Sequence, residues 1–171
     1  MAMEKIKLGI SACLAGEKTR YDGTDKLDAG LVEELGRFAV LVPVCPEVEC
    51  GLPVPREEMQ LVDAPDGPRL VCRYSGADHT GRMRRWAEAR IRELAREGID
   101  GFILKSSSPS CGLVSAELHG ESPAVKKVAG LFARLLEAAF PELPLVEETA
   151  LRDPEGSAEF MLRLRTGHGR Q

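Results

Sequence analysis

Residues 6–14 read IKLGISACL, a short apolar run that closes on a Gly-containing turn and so has the form of a buried first strand with Cys13 at its carboxyl end. The phrase recurs twice. Residues 39–44 (AVLVPV) make a second buried strand that Cys45 follows at once. Residues 99–105 (IDGFILK) make a third, and the turn-forming run SSSPSCG behind it carries Cys111. Helical stripes separate these strands. Leu27, Leu31, Leu35 and Phe38 recur at spacings of four, four and three, and Ala87, Ile91, Leu94 and Ala95 line a helix that runs from Met83 to a stop at Gly98. Val128, Leu131, Phe132, Leu135, Leu136 and Ala139 share a face before Pro141, and residues 143–146 (LPLV) read as a last strand.

Strands alternating with amphipathic helices predict an α/β fold in which a parallel sheet, joined by right-handed crossovers, is covered by helices on both faces. One stretch departs from that rhythm. Residues 59–74 (MQLVDAPDGPRLVCRY) read as two short strands about a turn at Asp66 and Gly67, a small β-hairpin insertion, and residues 113–124 read as an irregular excursion. The expected layout is one α/β domain over residues 1–150 and a charged tail over 151–171, a short helix followed by disorder.

A chain of 171 residues, 43% hydrophobic and 29% charged, suits one compact domain with a real core. Its net charge of −4 gives no general basic field, which disfavours a protein that lives on nucleic-acid phosphates. Met1 to Lys7 carry two lysines and no long apolar core, and no apolar run approaches the roughly twenty residues that span a bilayer. The expected location is therefore cytoplasmic, with no membrane partner. Five cysteines, an odd number without an export signal, argue against a disulfide framework and for reduced thiols available to metal or catalysis.

In open parallel sheets, ligands bind beyond the carboxyl ends of the strands, where the chain order reverses. Three separate strands deliver Cys13, Cys45 and Cys111 to that edge. Three thiolates can hold three irons of a [4Fe–4S] cluster and leave the fourth open to a substrate. Zinc is the rival, since it also accepts three protein ligands and a water, although the close C-x-x-C pairs of structural zinc sites are absent. Cys72, inside the hairpin, reads as a small core hydrophobe. Cys50 is open between a fourth ligand, a spare thiol and packing.

Glu47, two residues past Cys45, can handle protons if it reaches the same pocket; the alternative is a carboxylate that faces water or pairs with Arg56. Ser106, Ser107, Ser108 and Ser110 crowd the third cysteine. Their hydroxyls can meet cluster or substrate or serve the turn's own backbone, the latter more for Ser106 and Ser107. Ser11, Arg20, Tyr21, Asp22 and Lys105 are the candidate substrate contacts, although Tyr21-Asp22-Gly23 reads equally as an ordinary turn. His79, His119 and His168 form no ligand-like pair, and no Gly-rich phosphate fingerprint is present.

With SACLAGEKTRYDG, VCPEVECGLPVPRE and ILKSSSPSCG in view, the chain resembles the thiouracil desulfidase family from about Lys5 to Leu151, GADHTGRM and GLFARLLEAAFPELPLVEE included. The resemblance implies a Rossmann-like α/β domain whose [4Fe–4S] cluster has Cys13, Cys45 and Cys111 as ligands and one open iron. It implies a non-redox, hydrolytic desulfuration of thiouracil-type bases that releases uracil and sulfide. Glu47 matches the proton-transfer residue and Ser108 the assisting hydroxyl, with Ser110 the fallback. The implied partner is a small thiolated pyrimidine; thiolated tRNA is disfavoured by the net charge. An iron–sulfur or zinc module without turnover is the alternative. Two departures stand out. Relatives tend to carry Gly or an aliphatic residue where this chain has Cys50, and SAELHGESPAVKK after Gly112 lacks their Gly-rich approach to the next helix.

Overall fold

In the computed structural model residues 5–168 are described; the expected disorder at the chain's end and most of the lysine-bearing lead lie outside the described residues. Along the chain run β1 (Ile6–Ser11), α1 (Ala29–Gly36), β2 (Ala39–Val44), the single-turn α2 (Pro46–Glu49), β3 (Met59–Val62), β4 (Arg69–Cys72) and α3 (Thr80–Glu97). There follow β5 (Gly101–Leu104), β6 (Ala116–His119), β7 (Lys126–Val128), α4 (Leu131–Ala139), β8 (Leu145–Glu147) and α5 (Pro154–His168).

The main sheet has the order β2-β1-β5-β8, with every neighbouring pair parallel. The side chains of β1, β5 and β8 alternate between two buried layers, which is why these strands read as continuous apolar runs. β2, expected to be buried, is instead an edge strand with Val40 46% exposed, because among the described residues nothing pairs with its outer side. Leu8, Ile10, Ile103 and Val146 join Leu35 of α1 and Phe160 and Leu164 of α5 in one layer. Phe102, Leu104 and Leu145 join Met83, Ala87 and Leu94 of α3 and Phe132 and Leu136 of α4 in the other. Gly9 faces this second layer, and a Cβ there would sit 2.2 Å from Phe102 Cδ2, so close packing of strand on ring requires glycine. This is the α/β architecture with helices on both faces that the alternation of strands and stripes predicts. From β1 the chain goes out to β2 on one side and then returns past it to β5 on the other. That reversal opens a crevice beyond the carboxyl ends of β1 and β5.

The expected hairpin forms as β3 and β4 about Gly67 at φ 110, but it is not an isolated insertion. β6 pairs parallel with β3, and β7 antiparallel with β6, giving a second sheet ordered β4-β3-β6-β7. The stretch read as irregular thus holds a strand. AELH is short and half polar, KKV is mostly charge, and β3, the strand that orders them, lies more than fifty residues away.

Other boundaries move for local reasons. Leu27 stays outside α1 and half exposed, because the Asp28 side chain caps the helix by accepting the Leu31 N–H at 3.2 Å. Val128 belongs to β7 rather than to α4, and Ala95 turns to solvent while Met83 completes the buried stripe of α3. The charged tail seats Phe160 and Leu164 against the main sheet through a helix of 15 residues. Among the described residues, no helix is long and apolar enough to cross a membrane.

Candidate functional site

Cys13 and Cys45 sit just past β1 and β2, and Cys111 sits within the loop that follows β5, seven residues beyond Leu104; each is held by a different local device. β1 stops at Ser11 because Ala12–Ala15 tighten into a 3₁₀ turn, closed by Gly16 in the left-handed region at φ 93. Cys13 lies in that turn rather than in the strand itself. Cys45 caps α2, Pro46 taking the first helical position, and Glu49 folds back to accept the Cys45 N–H at 2.8 Å. Glu49 is itself paired with Arg90 of α3 at 3.2 Å. In the third loop the Ser108 hydroxyl accepts the N–H groups of Ser110 at 3.2 Å and Cys111 at 3.0 Å. The Pro109 and Ser110 carbonyls accept the otherwise unpaired N–H groups of Leu131, Phe132 and Ala133 at the start of α4. Gly130 permits that approach, since a Cβ on it would lie 2.6 Å from the Ser110 carbonyl carbon.

Cys13, Cys45 and Cys111 all line one cavity of about 210 Å³, together with Glu47, Arg56 and the serine-rich loop. Burial pushes the Cys13 thiol up to about 11, the neighbouring Cys45 adding to the rise while Lys105 and Arg20 oppose it. Burial raises the Cys45 and Cys111 thiols as well, and at Cys111 a hydrogen bond with Ser11 opposes the rise while Cys45 and Cys13 add to it. The three sulfurs are thus close enough to oppose one another's ionisation, and turning all three into thiolates calls for a positive centre between them. Among the described residues no group of three or more His, Cys, Asp or Glu stands ready to hold a metal ion, and no histidine lines the cavity.

Glu47 enters the cavity from α2, its side chain 14% exposed. Its Oε2 accepts Arg56 Nε at 2.8 Å and meets an Arg56 terminal nitrogen at 2.6 Å, while its Oε1 accepts the Ser110 hydroxyl at 3.0 Å. The two sequence alternatives for Glu47 therefore coexist: it lines the pocket and it pairs with Arg56. Arg56 is fixed in turn by the carbonyls of Thr19 at 2.8 Å and Pro53 at 3.2 Å. Cys50 lies outside the cavity wall, packs against the core and donates its thiol to the Glu47 carbonyl at 3.2 Å. Cys72 is a buried core residue.

Of the candidate substrate contacts, Ser11, Arg20, Tyr21 and Lys105 line the cavity. Ser11 is 2% exposed and its hydroxyl accepts the Lys105 N–H at 2.9 Å, so it holds β1 to the end of β5. Arg20 lies over the Tyr21 ring, 5.6 Å from its centroid. Asp22 does not reach the cavity: its carboxylate accepts the Thr24 N–H at 3.1 Å and hydroxyl at 2.6 Å, closing an Asx turn that shapes the loop. Ser108 and Ser110 both line the cavity, the former bonded to backbone and the latter to Glu47.

Other groups at or behind the site, Lys26 and Glu58 of the cavity lining among them, are not picked out by the sequence. Thr19 contributes its carbonyl, which accepts Arg56 and lies 3.9 Å from Cys45 Sγ. Glu147 and Glu148, at the end of β8, bond to the two ends of the third cysteine loop. Their one signal is a pair of adjacent carboxylates closing an apolar strand.

The 2-thiouracil desulfurase family matches residues 8–148. The "Uncharacterized protein YbbK" of Bacillus subtilis (strain 168) is 28% identical over 137 residues, 76% of this chain and 89% of its own length. Among solved structures, the [4Fe-4S]-dependent thiouracil desulfidase TudS superposes with a TM-score of 0.70 at 31% identity, over 92% of this chain and 99% of that one.

Proposed function

The chain belongs to the 2-thiouracil desulfurase family, and on that premise we propose that it is a thiouracil desulfidase with Cys13, Cys45 and Cys111 as the ligands of a [4Fe–4S] cluster. The reaction exchanges the thiocarbonyl sulfur of a thiolated pyrimidine for the oxygen of water, C=S and H₂O giving C=O and H₂S, with no net oxidation or reduction.

The observation that carries this reading is that three thiols, from the loops after β1, β2 and β5, open on one cavity with the Glu47 carboxylate. A set of three thiols with no histidine among the cavity-lining residues suits the thiolate ligation of an iron–sulfur cube. Buried thiols that resist ionisation also fit ligands which release their protons only as metal enters. When bound, the cluster supplies a Lewis-acidic iron with a position open to the thiocarbonyl sulfur.

The chain's own side chains supply the rest. Glu47 takes a proton from the water that replaces sulfur and returns one to the departing sulfide. Arg56 on Oε2 and Ser110 on Oε1 fix the direction of that carboxylate. The Ser108 oxygen already accepts two backbone N–H groups, so the O–H is what Ser108 offers the substrate. Arg20 and Tyr21 hold the pyrimidine ring and its polar edge, while the Lys105 ammonium, bound to Glu148 at 2.9 Å and to the Ser106 carbonyl at 2.8 Å and hydroxyl at 3.1 Å, shapes the cavity wall. The net charge of −4 favours a free small molecule over tRNA, and reduced thiols beside a cluster suit the cytoplasm.

The test is incubation of the anaerobically reconstituted protein with 2-thiouracil and 4-thiouracil. Uracil and sulfide should appear in equal amounts, and Glu47→Gln should keep its iron but lose turnover. Brown protein that leaves both thiouracils intact would sink the enzymatic reading, and undiminished turnover in Glu47→Gln would remove Glu47 from it.

A further inference from the structure

Glu147 and Glu148 close β8 with 7% and 2% of their surface exposed, rare burial for two adjacent carboxylates. Every contact that compensates them lies on one loop. Glu148 Oε2 accepts the Ser106 N–H at 2.7 Å, and Oε1 accepts the Ser106 hydroxyl at 2.8 Å and meets the Lys105 ammonium at 2.9 Å. Glu147 Oε1 accepts the N–H groups of Leu113 at 2.8 Å and Val114 at 3.1 Å and the Ser115 hydroxyl. Ser115 Oγ in turn accepts the Ser107 N–H at 2.7 Å. The two carboxylates therefore grip residues 105–115 from both ends, with Ser108, Ser110 and Cys111 between the grips.

The segment so held contains backbone strain. Ser107 has φ 59, and among the described residues it alone has a positive φ without being glycine. Such a conformation persists only where its surroundings over-determine it. Here the N–H groups of Ser106 and Ser107 are bonded to Glu148 directly and to Glu147 through Ser115.

We propose that Glu147 and Glu148 are positioning residues, which hold the third cysteine loop in the shape that presents Cys111 and Ser108 to the cavity before any metal arrives. A ligand loop fixed in advance binds without the ordering cost that a mobile one incurs. The inference rests on the proposed ligand role of Cys111.

Amide hydrogen exchange on the metal-free protein, read residue by residue, tests the positioning apart from activity. In Glu147→Gln/Glu148→Gln the amides of Ser106, Ser107, Leu113 and Val114 should exchange about tenfold faster or more, as expected for loss of a charge-assisted hydrogen bond. Amides of β1 and β5 should keep wild-type protection. After anaerobic reconstitution, the same variant should lose iron to a chelator severalfold faster than wild type. Ser115→Ala is milder, leaves both carboxylates in place and should loosen the Ser107 amide. Wild-type protection across the loop in both variants would overturn the proposal, as would a loss of protection spread evenly over β1 and β5, the mark of general support to the fold. Should the wild type itself take up no iron, the ligand reading fails, while the exchange comparison still decides the positioning.

Discussion

Arg56→Met is the perturbation whose consequence the site fixes most tightly. The Arg56 side chain is 6% exposed and that of Glu47 is 14% exposed, so the pair is largely removed from water. Methionine keeps most of the arginine stem's volume and removes every donor. Glu47 is then left with Ser110 as its one side-chain hydrogen-bond partner, and the Thr19 carbonyl loses the bond at 2.8 Å. Breaking one half of a buried pair costs about 3–5 kcal/mol, because the surviving charge stays buried without compensation. That is a large part of the roughly 5–15 kcal/mol that holds a domain of this kind. With a urea slope near about 2 kcal/mol/M, the unfolding midpoint should fall by about 1.5–2.5 M. Adding Glu47→Gln should restore part of the loss by removing the stranded charge, a coupling that a double-mutant cycle measures directly. A loss under about 1 kcal/mol in Arg56→Met, or a double variant no more stable than the single one, would refute the claim that this pair is a buried, mutually dependent unit.

Gly9→Ala drives a methyl to within 2.2 Å of the Phe102 ring, so thermal unfolding should show a loss of about 1–3 kcal/mol or more, and a neutral result would mean that the ring can swing aside. Burial pushes the Glu148 carboxyl up, but hydrogen bonds from Lys105 and Ser106 outweigh it and hold the group below its ordinary value of 4.5. A carboxyl depressed in the folded state contributes stability that is present above 4.5 and fades as pH falls through its folded value. Glu148→Gln should therefore flatten the acid limb of midpoint against pH, and an unaltered limb would show that the carboxylate is not held this way. Cys50→Ala should leave iron and sulfide content at the wild-type level, because that thiol is turned to the Glu47 carbonyl; a large fall would make Cys50 a ligand.

What the sequence disclosed follows from the range of each interaction. β2 is legible to the residue because six apolar or proline positions are bounded by a glycine-containing helix end and by Cys45. The three cysteines are legible because a strand end is marked locally, and topology then brings such ends together. β6 and β7 escape because the strand that pairs with β6 lies far off in the chain and their own pattern is weak. Glu147 and Glu148 escape for a similar reason: a carboxylate normally reads as surface, and only the fold reveals that their acceptors meet the backbone of residues 106–115. Asp22 is the opposite case. The sequence leaves it between the cavity and an ordinary turn, and the turn prevails because the Asx bonds to Thr24 are the shorter reach.

Whether Cys13, Cys45 and Cys111 grip one cluster is read from iron and acid-labile sulfide measured per chain after anaerobic reconstitution. Wild type and Cys72→Ser should each hold about four of both, whereas Cys13→Ser, Cys45→Ser and Cys111→Ser should each hold far less. A full complement retained by any one of those three variants would exclude that cysteine as a ligand and with it the three-thiolate cluster.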